Sequence, residues 1–322
     1  MAPVVRIFLI AGVFVFLTAH AEAASFDCKK AKTEVEKTVC ADPQLSAWDE
    51  KLAETYRAAL AKLSPEGQRL LREGQREWLK DLSKSCAAGS AVRLCIETAY
   101  KDRLRELSSK MVQVGEYLFI RVDLARWEAC TGGDGQPRSY EERVSYLRIE
   151  APSTEATAQW NAQRKRSLGT KRHCDPNSES DTHDSAISDI EVVDGTIVMI
   201  TSSTSECCET FRYSYGTGST QIVDLSRGLD PLNADDFFAS DSGWQTFLAQ
   251  RSEEDLKRQA PKNPIMDGVV IEIASDPANW TLGAKDLSIS FPPGSIGGYS
   301  FEVSIPWTEL KPYLRPDAPF PK

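Results

Sequence analysis

Apolar residues recur three or four apart from Leu45 through Trp48, Leu52, Tyr56 and Leu60 to Leu63. That spacing gathers them on one face of an amphipathic helix. Asp42-Pro43 precedes the run and supplies a cap and a stiff first turn. Ser64-Pro65-Glu66 repeats the device before a helix carrying Leu70, Leu71, Trp78, Leu79 and Leu82. Leu94, Tyr100, Leu104 and Leu107 predict a last helix, and residues 29–38 a shorter first one. Beyond about residue 116 the period changes. Residues 117–122, 144–149 and 190–200 read as strands. Residues 211–215 and 221–225, separated by Gly216-Thr217-Gly218, read as a hairpin whose glycines serve the turn. A helix over 243–258 carries Trp244, Phe247, Leu248 and Leu256. Residues 269–273, 287–291 and 301–305 read as further strands, and 306–310 as a short closing helix. Residues 151–188 lack a pattern and read as a polar surface excursion. The pattern predicts a multidomain chain, with an all-α domain at 24–110 and an α+β domain with an antiparallel sheet at 111–322.

Residues 1–23 are set aside as a cleaved secretory signal. Arg6 is the basic segment, residues 7–17 are apolar, and Ala19-His20-Ala21 and Ala21-Glu22-Ala23 have the small-x-small form of a cleavage site. The expected location is therefore periplasmic or secreted. Cys28 follows Ser-Phe-Asp rather than a small-residue box, which closes a lipoprotein route, and no other segment is apolar enough to span a membrane.

Secretion changes the meaning of the eight cysteines in this 322-residue chain. In an oxidising compartment they read as disulfide partners: Cys28, Cys40, Cys86 and Cys95 in the helical part, and Cys130, Cys174, Cys207 and Cys208 beyond it. The first four allow three pairings, and Cys174 has Cys130, Cys207 or Cys208 to choose from. Charge divides at the same place. Residues 24–110 carry 17 basic and 14 acidic side chains, and residues 111–322 carry 20 and 32. A net charge of −9 argues against a nucleic-acid coat.

Catalytic patterns are weak. His173 and His183 are the only histidines past the signal, and no G-x-S-x-G elbow accompanies them. With Cys174, Asp181 and Asp184 they could sketch a metal site, but a ligating thiolate must stay reduced. Asp235-Asp236 reads as a helix start, with acids near the positive end. Arg69, Arg72, Arg76 and Lys80 read as a solvated face laced with Glu66, Glu73 and Glu77. No enzyme, metal or cofactor is expected.

One set of residues carries a family resemblance. It runs from Ser25-Phe26-Asp27-Cys28 through Ala31, Glu36, Val39-Cys40-Ala41-Asp42, Leu45, Asp49, Leu52 and Tyr56. It continues through Gln75, Trp78, Leu79, Cys86, Cys95 and Tyr100 to Arg103-Leu104-Arg105-Glu106-Leu107. It resembles the N-terminal domain of the LprI-type lysozyme inhibitors, which implies a secreted, disulfide-stabilised helical module whose partner is lysozyme. A looser resemblance links Asp224-Leu225, Gly228, Asp235-Asp236-Phe237-Phe238 and Gly297-Gly298-Tyr299-Ser300 to the ectodomain of lysozyme-sensing anti-sigma factors. So do Val303, Ile305-Pro306, Leu310 and Tyr313-Leu314. The expected function is lysozyme binding and inhibition, with the acidic C-terminal region helping to attract a cationic enzyme. The alternative is a non-inhibitory cell-envelope adaptor or structural module that binds another envelope protein.

Overall fold

The computed structural model describes residues 24–86, 91–166, 174, 182–208, 215–265 and 268–320. Within these, the side chains of 125–127, 166, 182–183, 205–208 and 215–217 are not described. Two compact units emerge. One holds the described residues up to Ala58 together with Trp78–Arg105, and the other holds Ala59–Glu77 with Glu106–Lys322.

Four helices follow a single turn at Cys28–Lys30: α1 (Glu34–Ala41), α2 (Pro43–Leu60), α3 (Pro65–Ser85) and α4 (Val92–Ser109). Their starts are chemically specified. Thr33 Oγ1 accepts from the Glu36 amide at 3.1 Å, and the Glu36 carboxylate accepts from the Thr33 amide at 2.8 Å. This reciprocal box satisfies amides that the helix itself leaves unpaired. Asp42 does the same for α2, accepting from the Gln44 and Leu45 amides at 2.8 and 3.1 Å. In the first unit Val39, Leu45, Leu52, Leu82, Ile96 and Tyr100 are buried. The spacing of the N-terminal leucines thus reports a helical fold as expected.

The second unit is α+β. Six strands, β1 (Met111–Val114), β2 (Tyr117–Thr131), β3 (Pro137–Ala151), β4 (Thr182–Asp194), β5 (Ile197–Cys208) and β6 (Tyr215–Asp224), lie side by side in chain order. All neighbours are antiparallel except β3 and β4, which are parallel. A parallel pair needs a crossover, and α5 (Glu155–Arg166) lies in it. The chain continues with α6 (Ala234–Phe237), α7 (Trp244–Gln259), α8 (Val269–Ser275), an antiparallel sheet of β7 (Trp280–Leu282), β8 (Asp286–Phe291) and β9 (Phe301–Pro306), and α9 (Trp307–Leu310). Successive side chains of a strand point to opposite faces. On β5 that divides Ile197 and Met199, which join the core of α7, α8 and the small sheet, from Val198 and Ile200, which join Phe119, Leu147, Ile149 and Trp160. The larger core holds a cluster of rings, with Phe238 stacked on Trp244 at 4.7 Å and Trp280 edge-on to Phe237 and Phe238 at 6.0 and 5.6 Å.

The beginning of α3 is fixed to the sheet by a buried carboxylate. Glu150 on β3 accepts from the Ser64 amide at 2.7 Å and pairs with Arg148 at 2.6 Å. Gly67 faces this carboxylate so closely that a Cβ there would sit 2.4 Å from Glu150 Oε2.

Several expectations change. Residues 190–200 are not one strand: β4 ends at Asp194, Gly195 turns the chain at φ +55°, and β5 begins at Ile197. Gly216-Thr217-Gly218 is no turn, since these residues lie inside β6 opposite Ser205, Thr204 and Ser203 of β5. Residues 211–214 of the expected hairpin lie outside the described residues. Residues 269–273 form α8, not a strand: Gly268 opens the helix at φ +83°, and Val270 and Ala274, one turn apart, are the buried pair. The polar stretch 151–188 contains α5 and the start of β4.

Candidate interaction surface of the helical unit

Two disulfides frame the first unit. Cys28 pairs with Cys40 and Cys86 with Cys95, which selects one of the three pairings open to these cysteines. A third joins Cys130 on β2 to Cys174, choosing among the partners open to Cys174. The side chains of Cys207 and Cys208 lie outside the described ones. Beside these bridges, Asp49 on α2 gathers the N-terminal segment. Its carboxylate accepts from the Ser25 amide at 2.6 Å and from the Tyr100 hydroxyl at 2.9 Å. Burial first, and the Asp49 charge second, push the Tyr100 phenol far above its ordinary pKa. Trp78 packs edge-on to Tyr100 at 5.7 Å, with the Arg103 guanidinium 5.7 Å from its ring.

A continuous polar strip crosses α2 and α4 on the outside. Arg93 donates to Asp42 at 2.6 Å, to Gln44 at 2.7 Å and to Glu97 at 2.8 Å. Glu97 accepts from Lys101 at 2.6 Å. The Lys101 and Lys51 ammonium groups each lie 5.4 Å from the Trp48 ring, whose negative face favours cations. The Asp42 carboxyl is held below its ordinary range, first by the Leu45 amide and then by Arg93. Glu97 is likewise held low, first by Lys101. These groups therefore stay charged at neutral pH. Leu94, between Arg93 and the Cys86–Cys95 bridge in the chain, is 64% exposed, and Leu79 on α3 is 46% exposed.

Leu79 and Leu94, which helped to mark two of the expected helices, both face solvent. The i,i+4 spacing of Arg93, Glu97 and Lys101 marks only a solvated helix face; their contacts with Asp42, Gln44 and Trp48, remote in the chain, carry no sequence signal. Of the residues that carry the resemblance, the four cysteines, Asp49 and Tyr100 serve as framework, while Asp42 belongs to the strip.

Other candidates resolve simply. Cys174 is oxidised in its disulfide and offers no thiolate. His173, Asp181 and the His183 side chain lie outside the described ones, and Asp184 accepts from the Tyr140 hydroxyl at 3.1 Å. Asp236 caps α6, accepting from the Asn233 amide at 2.8 Å, and pairs with Arg227. Arg69 is engaged by Glu66 and Glu73, and Arg72 donates to Gln68. Among the described residues no group of three His, Cys, Asp or Glu side chains could hold a metal, and no helix is long and apolar enough to cross a membrane. The strip presents mutually paired charges and one aromatic ring, with the exposed Leu94 adjoining Arg93 in the chain.

Residues 28–107 match the family model described as Lysozyme inhibitor LprI. Lipoprotein LprI of Mycobacterium bovis and of Mycobacterium tuberculosis are each 34% identical over 91 residues, covering 28% of this chain. The chain spans 44% of the length of these relatives. Two solved structures of DUF3298 family proteins align over most of their own lengths. One, from Bacteroides fragilis, has 11% identity, a TM-score of 0.41, and coverage of 64% of this chain and 96% of that one. The other, from Pseudomonas aeruginosa, has 14% identity, a TM-score of 0.38, and coverage of 63% and 96%. None of these matches supports the expected likeness of the C-terminal region to an anti-sigma-factor ectodomain. The supported resemblance is therefore to LprI, and it is confined to a quarter of the chain around the four N-terminal cysteines.

Proposed function

We propose that this chain is an exported, non-catalytic protein that binds lysozyme through its N-terminal helical region and inhibits it. The observation that carries this reading is the match of residues 28–107 to the LprI family, whose bounds enclose both disulfides and the strip from Asp42 to Lys101. Three disulfides fit a periplasmic or secreted protein. Leu94 supplies an apolar anchor beside a covalently closed connection, and a pre-ordered anchor loses little freedom on binding. The acidic residues beyond 111 speed encounter with a cationic enzyme without setting its orientation.

The test is binding and inhibition of a panel of lysozymes by the oxidised full-length mature protein, at low and moderate salt. Saturable binding that persists at moderate salt, with loss of lytic activity, is expected. Leu94→Asp and Arg93→Glu should each weaken it. Absence of binding to every lysozyme overturns the reading. Binding without inhibition reassigns the chain as an envelope adaptor.

A further inference from the structure

A second surface, in the α+β unit, has a different chemistry. A cleft of about 650 Å³ opens between α5 and the sheet of β4, β5 and β6, closed on one side by Gly228–Pro231. That volume lies within the roughly 300–1,000 Å³ of small-molecule sites. Its floor is a row of hydroxyls. Ser188 on β4 stands opposite Ser202 on β5, and Ser202 stands opposite Ser219 on β6. Ser188 Oγ and Ser202 Oγ lie 3.0 Å apart. Because side chains two apart share a face, Thr204 extends this row outward and Ile200 closes it inward, where Ile200 meets Trp160 in the core. The facing wall is α5, with Gln159, Gln163 and Arg164. Arg164 lies over the Trp160 ring at 4.8 Å and donates to Gln221 of β6.

We infer that this cleft binds a neutral oligosaccharide, held by the hydroxyl row Ser188–Ser202–Ser219 on one side and the α5 amides on the other. The inference rests on chemistry that the other ligand classes do not match. Arg164 and Asp230 are the charged residues of the lining and have opposite signs, so no charge surplus selects an anion or a cation. The floor is hydroxylated, which disfavours a lipid. The hydroxyls project from the sheet face rather than its edge, where an added peptide strand would pair. A serine hydroxyl donates one hydrogen bond and accepts two, and the Ser188–Ser202 contact uses only part of that capacity. Neighbouring strands are roughly 4.8 Å apart, the scale of one sugar ring, so the row meets successive hydroxyls of one saccharide. This inference is independent of lysozyme binding, which is placed in the helical unit.

The test uses the oxidised full-length protein with two probes, a β-linked N-acetylglucosamine trimer and an α-linked glucose trimer. Calorimetry and saturation-transfer NMR read the binding. Saturable binding of either trimer is expected, weakened about tenfold or more in Ser202→Leu and in Gln163→Leu. The Gln163→Leu change lies on an exposed helix position, so it keeps the test valid if Ser202→Leu folds poorly. No binding of either trimer at millimolar concentration, or binding unaltered in both folded variants, overturns the inference.

Discussion

Tyr100 donates its hydroxyl to Asp49 across 51 residues of chain, at 2.9 Å and in a buried position. The same carboxylate holds the Ser25 amide, so one aspartate fastens both the backbone ahead of Cys28 and α4 onto α2. Tyr100→Phe keeps the ring against Trp78 and removes this hydrogen bond. The expected cost is about 1–3 kcal/mol, since Asp49 stays buried with one partner fewer. Urea unfolding of the oxidised protein measures it. Asp49→Ala should cost at least as much, because it also releases Ser25. Equal stability of Tyr100→Phe and the parent would contradict this account.

Acid should weaken the second unit through Asp123. Burial opposes its ionisation, but Lys110 at 2.8 Å, Ser145 at 2.6 Å and Arg121 together hold its carboxyl below the ordinary range. A group with a lowered folded pKa stabilises fully above its unfolded value, and that contribution fades as pH falls through the folded value. Stability measured by urea should therefore fall on acidification from neutral pH to below 4, and Asp123→Asn should flatten part of that slope. Lys110, nearly buried, also pairs with Glu106 at 2.8 Å. Lys110→Met should cost about 1–3 kcal/mol at neutral pH, less than for a fully buried pair because Asp123 keeps contact with water.

The three disulfides among the described residues close loops of different length. Cys86–Cys95 and Cys28–Cys40 span 9 and 12 residues, and Cys130–Cys174 spans 44. The chain-entropy relation gives about 3 kcal/mol for each short loop and about 4 kcal/mol for the long one. Paired Cys→Ser variants should lower the melting temperature in that order. Peptide mapping under non-reducing conditions should recover these three pairs. A Cys28–Cys86 or Cys40–Cys95 peptide would contradict the assignment.

Gly67→Ala should destabilise the protein even though alanine favours helices by about 1 kcal/mol over glycine. The added methyl meets the Glu150 carboxylate, which is itself committed to Ser64 and Arg148. Overpacking of this kind costs about 1–3 kcal/mol. Gly298→Ala, in a turn with open space at its Cβ, is the control for an added methyl that meets nothing. A melting temperature lowered in the first variant and unchanged in the second is the expected result.

How much was legible in sequence depended on where each element's partner lies. The N-terminal helices were readable because their capping residues and apolar spacing are local. The same rule misled at Val269–Ser275, where a β-branched run suggests a strand but Gly268 and the Val270–Ala274 spacing select a helix. Residues 155–166 look featureless because, among the described side chains of α5, only Thr157 and Trp160 are buried. The polar β4 is held by pairing with β3 and β5, which no periodicity announces. The strip on α2 and α4 was invisible for a related reason. Arg93 has meaning only once Asp42 and Gln44 stand beside it, whereas cysteines announce their own pairing chemistry.

The division of β5 has a consequence for how the α+β unit comes apart. Ile197 and Met199 serve one core while Val198 and Ile200 serve the other, so a single strand is a party wall between two rooms. Neither room can be emptied without breaching it. Backbone amides at 197–200 should exchange with solvent only through global opening of this unit, at the slowest rates in the chain. Local fraying elsewhere would leave them untouched. Two apolar interiors of different composition thereby melt as one.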